Sequence, residues 1–185
     1  MAHQEESPFG SWKSPITSDH IISDSVGIGD LATDGGNIYW TEMRASEGGK
    51  SVIVRRTPDG TIKDMTSPPY DVRTRVHEYG GGSFSVRDDL LCFSNFEDQR
   101  LYRQIDTKHP EPLTPHGVDL RYADGFIDSK IGRIICVRED HTNKYTVTNT
   151  LVWIDLHRGG PGNIIASGHD FYSSPVLSPD GSHLA

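Results

Sequence analysis

Residues Val76–Ser85 read Val-His-Glu-Tyr-Gly-Gly-Gly-Ser-Phe-Ser, and the fold turns on what the three glycines are for. One reading is catalytic. A histidine ahead of a glycine run supplies oxyanion-binding N–H groups in some esterases, and Gly81-Gly82-Ser83-Phe84-Ser85 contains half of a nucleophile elbow. The elbow needs Gly-x-Ser-x-Gly, because its strained strand-to-helix turn leaves no room for a side chain on either flank. Here the last position is Ser85, no helical pattern follows, and Glu78 and Tyr79 separate His77 from the glycines. No other Gly-x-Ser-x-Gly occurs in the chain. The second reading is structural: Gly80–Phe84 opens a crowded strand, where glycine lets two backbones approach at a distance a Cβ would forbid. The structural reading holds, and Ser83 is not expected to be a nucleophile.

Outward from this stretch the chain alternates short apolar runs with turn residues, the pattern of an all-β protein. The runs fall into groups of four. The first is Gly29–Thr33, Asn37–Met43, Ser51–Arg56 and Thr61–Met65. The second is Gly82–Val86, Asp89–Phe96, Arg100–Ile105 and Pro110–Leu113. The third is Arg121–Ile127, Arg133–Arg138, Thr150–Leu156 and Asn163–Ser167. A fourth starts with Tyr172–Leu177 and stops inside Ser182–Ala185. The second strand of each complete group, carrying Ile38-Tyr39-Trp40, Leu90–Phe93 or Ile134–Val137, recurs every 44 to 52 residues. Four strands at such a period mark a propeller blade, although neither the Trp-Asp nor the kelch signature repeats. Thr57-Pro58-Asp59-Gly60 and Ser178-Pro179-Asp180-Gly181 place Pro and Gly where hairpin turns use them. A β-sandwich is the competing all-β fold. Strands grouped in fours favour a partial β-propeller of about three and a half four-stranded blades over residues 21–185, preceded by an extension over residues 1–20.

Composition agrees. The 185 residues carry 19 glycines and 11 prolines without a low-complexity block, which suits many short strands better than long helices. A net charge of -8 argues against nucleic acid or an anionic membrane as partner, since both need a basic face. No apolar run is long enough to span a bilayer, and the start Met-Ala-His-Gln-Glu-Glu-Ser-Pro lacks the regions of a secretory signal. Cys92 and Cys136 sit in apolar runs and read as buried thiols. A cytoplasmic location is the expectation.

Other constellations read as bland. His109 and His116 flank a proline-rich loop without the close ligand pairs of a metal site; no metal and no cofactor is expected. Trp40 and Trp153 lie in alternating strands and read as packing between blades. Arg138-Glu139-Asp140-His141 reads as the exposed, charged end of a strand. The segment Arg73-Thr74-Arg75-Val76-His77-Glu78-Tyr79 stands apart, because charged residues alternate immediately before an innermost strand. Arg73, Arg75, His77, Glu78 and Tyr79 are therefore candidates for contact with a ligand or neighbouring domain at the channel or its mouth. The structural alternative for them is hydrogen bonding between blades.

Four strings together carry a resemblance: Phe9-Gly10-Ser11-Trp12-Lys13-Ser14-Pro15-Ile16-Thr17, Val72–Gly82, Ser94-Asn95-Phe96-Glu97-Asp98-Gln99-Arg100-Leu101-Tyr102 and Leu177–Gly181. From about Phe9 to the last residue the chain resembles the N-terminal propeller of prolyl-oligopeptidase-family serine peptidases, of the acylaminoacyl-peptidase and dipeptidyl-aminopeptidase type. The resemblance implies a propeller that gates and selects short peptides for a catalytic α/β-hydrolase domain bearing the Ser, Asp and His. The chain stops at His183-Leu184-Ala185 before any such domain, so no catalytic residue carries over and no activity of this segment alone is expected. The alternative is a stand-alone propeller-like module that binds a protein partner. An open array of blades is also expected to be marginally stable or prone to aggregate.

Overall fold

The computed structural model describes residues 6–11, 13–22 and 25–185, with the backbone alone at residues 21 and 22. Residues 1–5 of the expected extension, and Trp12 of the Phe9–Thr17 string, lie outside the described residues. A short helix α1 (Ser18–Ile22) starts where the Thr17 hydroxyl accepts the His20 N–H at 3.1 Å. Every later regular element but one helical turn, Ala45–Glu47, is a strand.

The strands build three four-stranded antiparallel sheets, each a meander in chain order. The first holds β1 (Val26–Asp34), β2 (Asn37–Arg44), β3 (Lys50–Arg56) and β4 (Ile62–Asp64). The second holds β5 (Phe84–Arg87), β6 (Leu90–Ser94), β7 (Leu101–Ile105) and β8 (Glu111–Pro112). The third holds β9 (Leu120–Asp128), β10 (Arg133–Asp140), β11 (Thr148–Asp155) and β12 (Asn163–Ser167). The expected grouping in fours is therefore the observed one, and the sheets are successive blades. The start of a fourth blade is present as a first antiparallel contact between Tyr172–Leu177 and Ser182–Ala185, short of regular strands. They meet in a single bridge, Leu177 with Leu184, flanked by two Val176–Ala185 bonds of 2.9 and 3.0 Å. Two short runs without a third strand cannot hold a sheet.

Local chemistry explains the turns. In Thr57–Thr61 the Gly60 N–H bonds the Thr57 carbonyl at 2.9 Å, and the Asp59 carboxylate accepts the Thr61 N–H at 3.0 Å. Ser178–Ser182 repeats this with Gly181 to Ser178 at 2.8 Å and Asp180 accepting from Ser182 at 3.0 Å.

Packing lies between blades, where neighbouring sheets bury their facing sides against each other. Tyr39, Ile53 and Val72 of the first blade side meet Leu91, Phe93 and Tyr102 of the second. Tyr70 joins that cluster edge-on, 5.6 Å from Phe93 and 5.2 Å from Tyr102; each such pair adds about 0.5–1.5 kcal/mol beyond area burial. Between the second and third blades, Cys92, Leu101 and Leu113 meet Tyr122, Ile134, Cys136 and Ile154. Both cysteines are free and fully buried.

The innermost strands are stitched by a repeated device that the sequence does not advertise. β1 is irregular between Ile28 and Leu31, and β9 is irregular opposite Ile135–Val137. In each irregularity sits an aspartate, Asp30 or Asp124. Asp30 accepts the N–H and hydroxyl of Ser83 at 2.8 and 2.7 Å, and Asp124 accepts the Ser174 N–H at 2.9 Å. Each carboxylate thus holds the segment that opens the following blade. Asp124 also accepts the Gly82 N–H at 2.6 Å.

Candidate functional site

Residues 65–83 connect the outermost strand of the first blade to the innermost strand of the second. The backbone approach expected for the glycines is real. A Cβ on Gly81 would lie 3.0 Å from Asp124 Oδ1 and 3.1 Å from Ala123 Cβ, and one on Gly82 would lie 3.0 Å from Asp124 Oδ1. The glycines precede β5 rather than opening it, since the strand starts at Phe84. Ser83 is buried with its hydroxyl donated to Asp30, far from the arrangement a nucleophile needs.

The five candidate residues divide into two groups. Asp71, itself buried, accepts the Ser51 N–H at 2.9 Å and pairs with Arg73 at 2.7 Å. The guanidinium groups of Arg73 and Arg75 then stack on the Phe96 ring, 4.0 and 4.4 Å from its centre. Arg75 also donates its N–H to Gln99 Oε1 at 2.8 Å. Asn95 Oδ1 accepts the Asp71 N–H at 3.0 Å, and Asp98 accepts from Asn95 at 2.9 Å and from the Tyr102 hydroxyl at 2.7 Å. The Arg-Thr-Arg string and the Asn-Phe-Glu-Asp-Gln string are thus two halves of one lock.

Past buried Val76, which packs on Ala123 and Val137, the chain turns sharply. His77 and Glu78 both take left-handed backbone angles, φ 57° and 62°, unusual outside glycine. Hydrogen bonds hold the turn: Glu78 N–H to the Arg75 carbonyl and Gly80 N–H to the Val76 carbonyl, both at 2.9 Å. The His77 N–H donates to Glu139 Oε1 at 2.7 Å, and its ring lies 3.2 Å from the same carboxylate and 3.2 Å from the Tyr172 carbonyl. His141 approaches the other oxygen of Glu139 at 3.1 Å. Glu78 pairs with Arg121 at 2.6 Å, which holds its carboxyl below the usual range. Tyr79 points to solvent and stacks loosely beside His77, with 5.7 Å between rings.

Sequence reasoning missed Glu139, His141 and Arg121. The Arg138–His141 run is no exposed turn: Arg138 and Glu139 are buried, and β10 continues to Asp140 as a central strand paired on both sides. Arg138 spends its charge on the Pro161 carbonyl at 3.2 Å. The available signal was position, because charges that end a central apolar strand have neighbours on both edges. His77, Glu78, Glu139, His141, Asn149 and Phe171 line a cleft of about 580 Å³ between this loop and the third blade. Such a cleft can orient a small polar ligand with carboxylates and imidazoles, but it holds no nucleophile activated by a base.

Among the described residues no helix is long and apolar enough to cross a membrane. No family model matches the chain, and no curated protein sequence does. Solved structures do match. A puromycin hydrolase superposes with a TM-score of 0.84 and 31% identity over 95% of this chain and 30% of that one. A Mycobacterium tuberculosis puromycin-hydrolyzing peptidase gives 0.81 and 31% over 98% and 30%. A structure of a nidogen/laminin complex, at 0.55 and 15% identity, shares the fold alone. The chain spans 30% of the length of the peptidase structures it matches. With three sequential blades, the interlocked Arg-Thr-Arg and Asn-Phe-Glu-Asp-Gln strings and 31% identity along almost its whole length, the chain is a propeller segment of the prolyl-oligopeptidase family of peptidases.

Proposed function

We propose that this segment gates and selects short peptides for a catalytic α/β-hydrolase domain that it accompanies, in a cytoplasmic serine peptidase of the acylaminoacyl-peptidase or dipeptidyl-aminopeptidase type. Residues 1–20 form an extension to the propeller part, 21–185. The observation that carries the reading is the match along 98% of this chain to 30% of a puromycin-hydrolyzing peptidase. The geometry supports a division of labour among the candidate residues. Arg73 and Arg75 brace the second blade through Phe96. His77 and Glu78 line the cleft beside Glu139, with the exposed Tyr79 next to the His77 ring, and there they contact substrate or the catalytic domain. Two buried thiols left unpaired suit a reducing compartment.

The test is the intact mass of the endogenous protein, captured with an antibody against Arg73–Phe84. A species several times heavier than 20.5 kDa, with peptidase activity in the captured fraction, is expected. A species of 20.5 kDa without activity would overturn the reading in favour of a stand-alone binding module.

A further inference from the structure

A second cleft, of about 470 Å³, opens between the second and third blades at the far end of the sheets. It lies where β5 ends and β6 begins, whereas the His77 loop lies where β5 begins. Its volume is in the range of small-molecule sites. Leu90 and Leu156 line it as the exposed edge of the inter-blade core, and half-exposed Ile105 extends that apolar wall.

The polar side of the cleft is cationic, against the grain of a chain with net charge -8. Arg103 is committed, pairing with Glu111 at 2.7 Å and donating to the Leu156 carbonyl. Arg87 and Lys108 are not: among the described residues neither side chain has a hydrogen bond or ion pair, and Asp88 is the one carboxylate at the rim not already paired. Arg103 and Ile105 on β7 face this cleft, while Gln104 between them turns to the first blade, where its Nε2 donates to the Met65 carbonyl at 2.7 Å.

We propose that this cleft binds a small organic anion: an apolar body against Leu90, Ile105 and Leu156, and an anionic head between Arg87 and Lys108. The head is a carboxylate or a phosphate monoester, since both satisfy two separated cations. The site is remote from the His77 cleft and stands whether or not the peptidase reading does.

The test is an amide NMR titration of the chain with octanoate and with octyl phosphate, repeated in an Ile28→Lys/Leu31→Lys background. Those two substitutions keep the apolar face of the first blade from taking up the probes. Saturable shifts at Arg87, Leu90, Lys108 and His157 are expected for at least one of them, and the probe that binds more tightly identifies the head group. Arg87→Ala/Lys108→Ala, at two exposed positions, should weaken binding roughly ten-fold, the loss of two partly solvated charge contacts. The proposal fails if neither anion gives saturable shifts there, if octylammonium binds as tightly, or if the double variant binds unchanged.

Discussion

Replacing Glu139 with alanine is the sharpest probe of the His77 loop. The carboxylate is 5% exposed and accepts the His77 N–H, with the His77 and His141 rings within 3.2 Å. A hydrogen bond to a charged acceptor contributes about 1.5–3 kcal/mol. Truncation also strands a donor in a turn whose φ of 57° and 62° already opposes two L-residues. The expected loss is about 2–4 kcal/mol, or roughly 5–15 °C in Tm for a chain of this size. Glu139→Gln should recover about half, because an amide oxygen can still accept the His77 N–H while the charge facing Arg121 is gone. Differential scanning calorimetry gives the first number. Hydrogen exchange localises it: protection at Val76–Gly80 should fall in Glu139→Ala, while Ile134–Val137 keeps its rank as the slowest region. A Tm within about 2 °C of the parent, or unchanged exchange at Val76–Gly80, would refute the claim that Glu139 holds this loop.

Burial pushes the Cys92 thiol up to about 12 and Cys136 further, so neither should react with iodoacetamide at pH 8 until the chain unfolds; stoichiometric labelling of native protein by mass spectrometry would count against the inter-blade core. Asp180 is held down at about 2 by the Ser178 hydroxyl and by the Ser182 N–H and hydroxyl. A depressed carboxyl stabilises its turn above the unfolded value of 3.8 and loses that contribution as pH falls towards 2, so an NMR titration should show the Ser178–Ser182 turn intact at pH 5 and opening between pH 4 and 2. The first blade exposes Ile28 at 76% and Leu31 at 71%, an apolar face with no neighbouring sheet. Sedimentation velocity should show concentration-dependent self-association that Ile28→Lys/Leu31→Lys reduces; a strict monomer in the parent would remove that expectation.

Much of the fold was legible because propeller blades are local. Each strand pairs with its sequence neighbour, so four runs and three turns describe a sheet, and Pro-Asp-Gly turns announce the hairpins. The glycine run was legible for the same reason, since only a close approach asks for three residues without Cβ. The partial fourth blade was legible too, although Tyr172–Leu177, with Ser182–Ala185 as its one short partner, reaches only a single bridge.

Sequence alone therefore determined the all-β class, the blade period and the structural role of Gly80–Gly82. Tertiary structure decided what the charges do. Glu139 lies 62 residues from His77, and Asp30 lies 53 from Ser83. No local pattern couples such positions; only the side-by-side packing of blades brings them together. Once together and out of water, a carboxylate that would idle on the surface becomes the acceptor on which a whole loop depends.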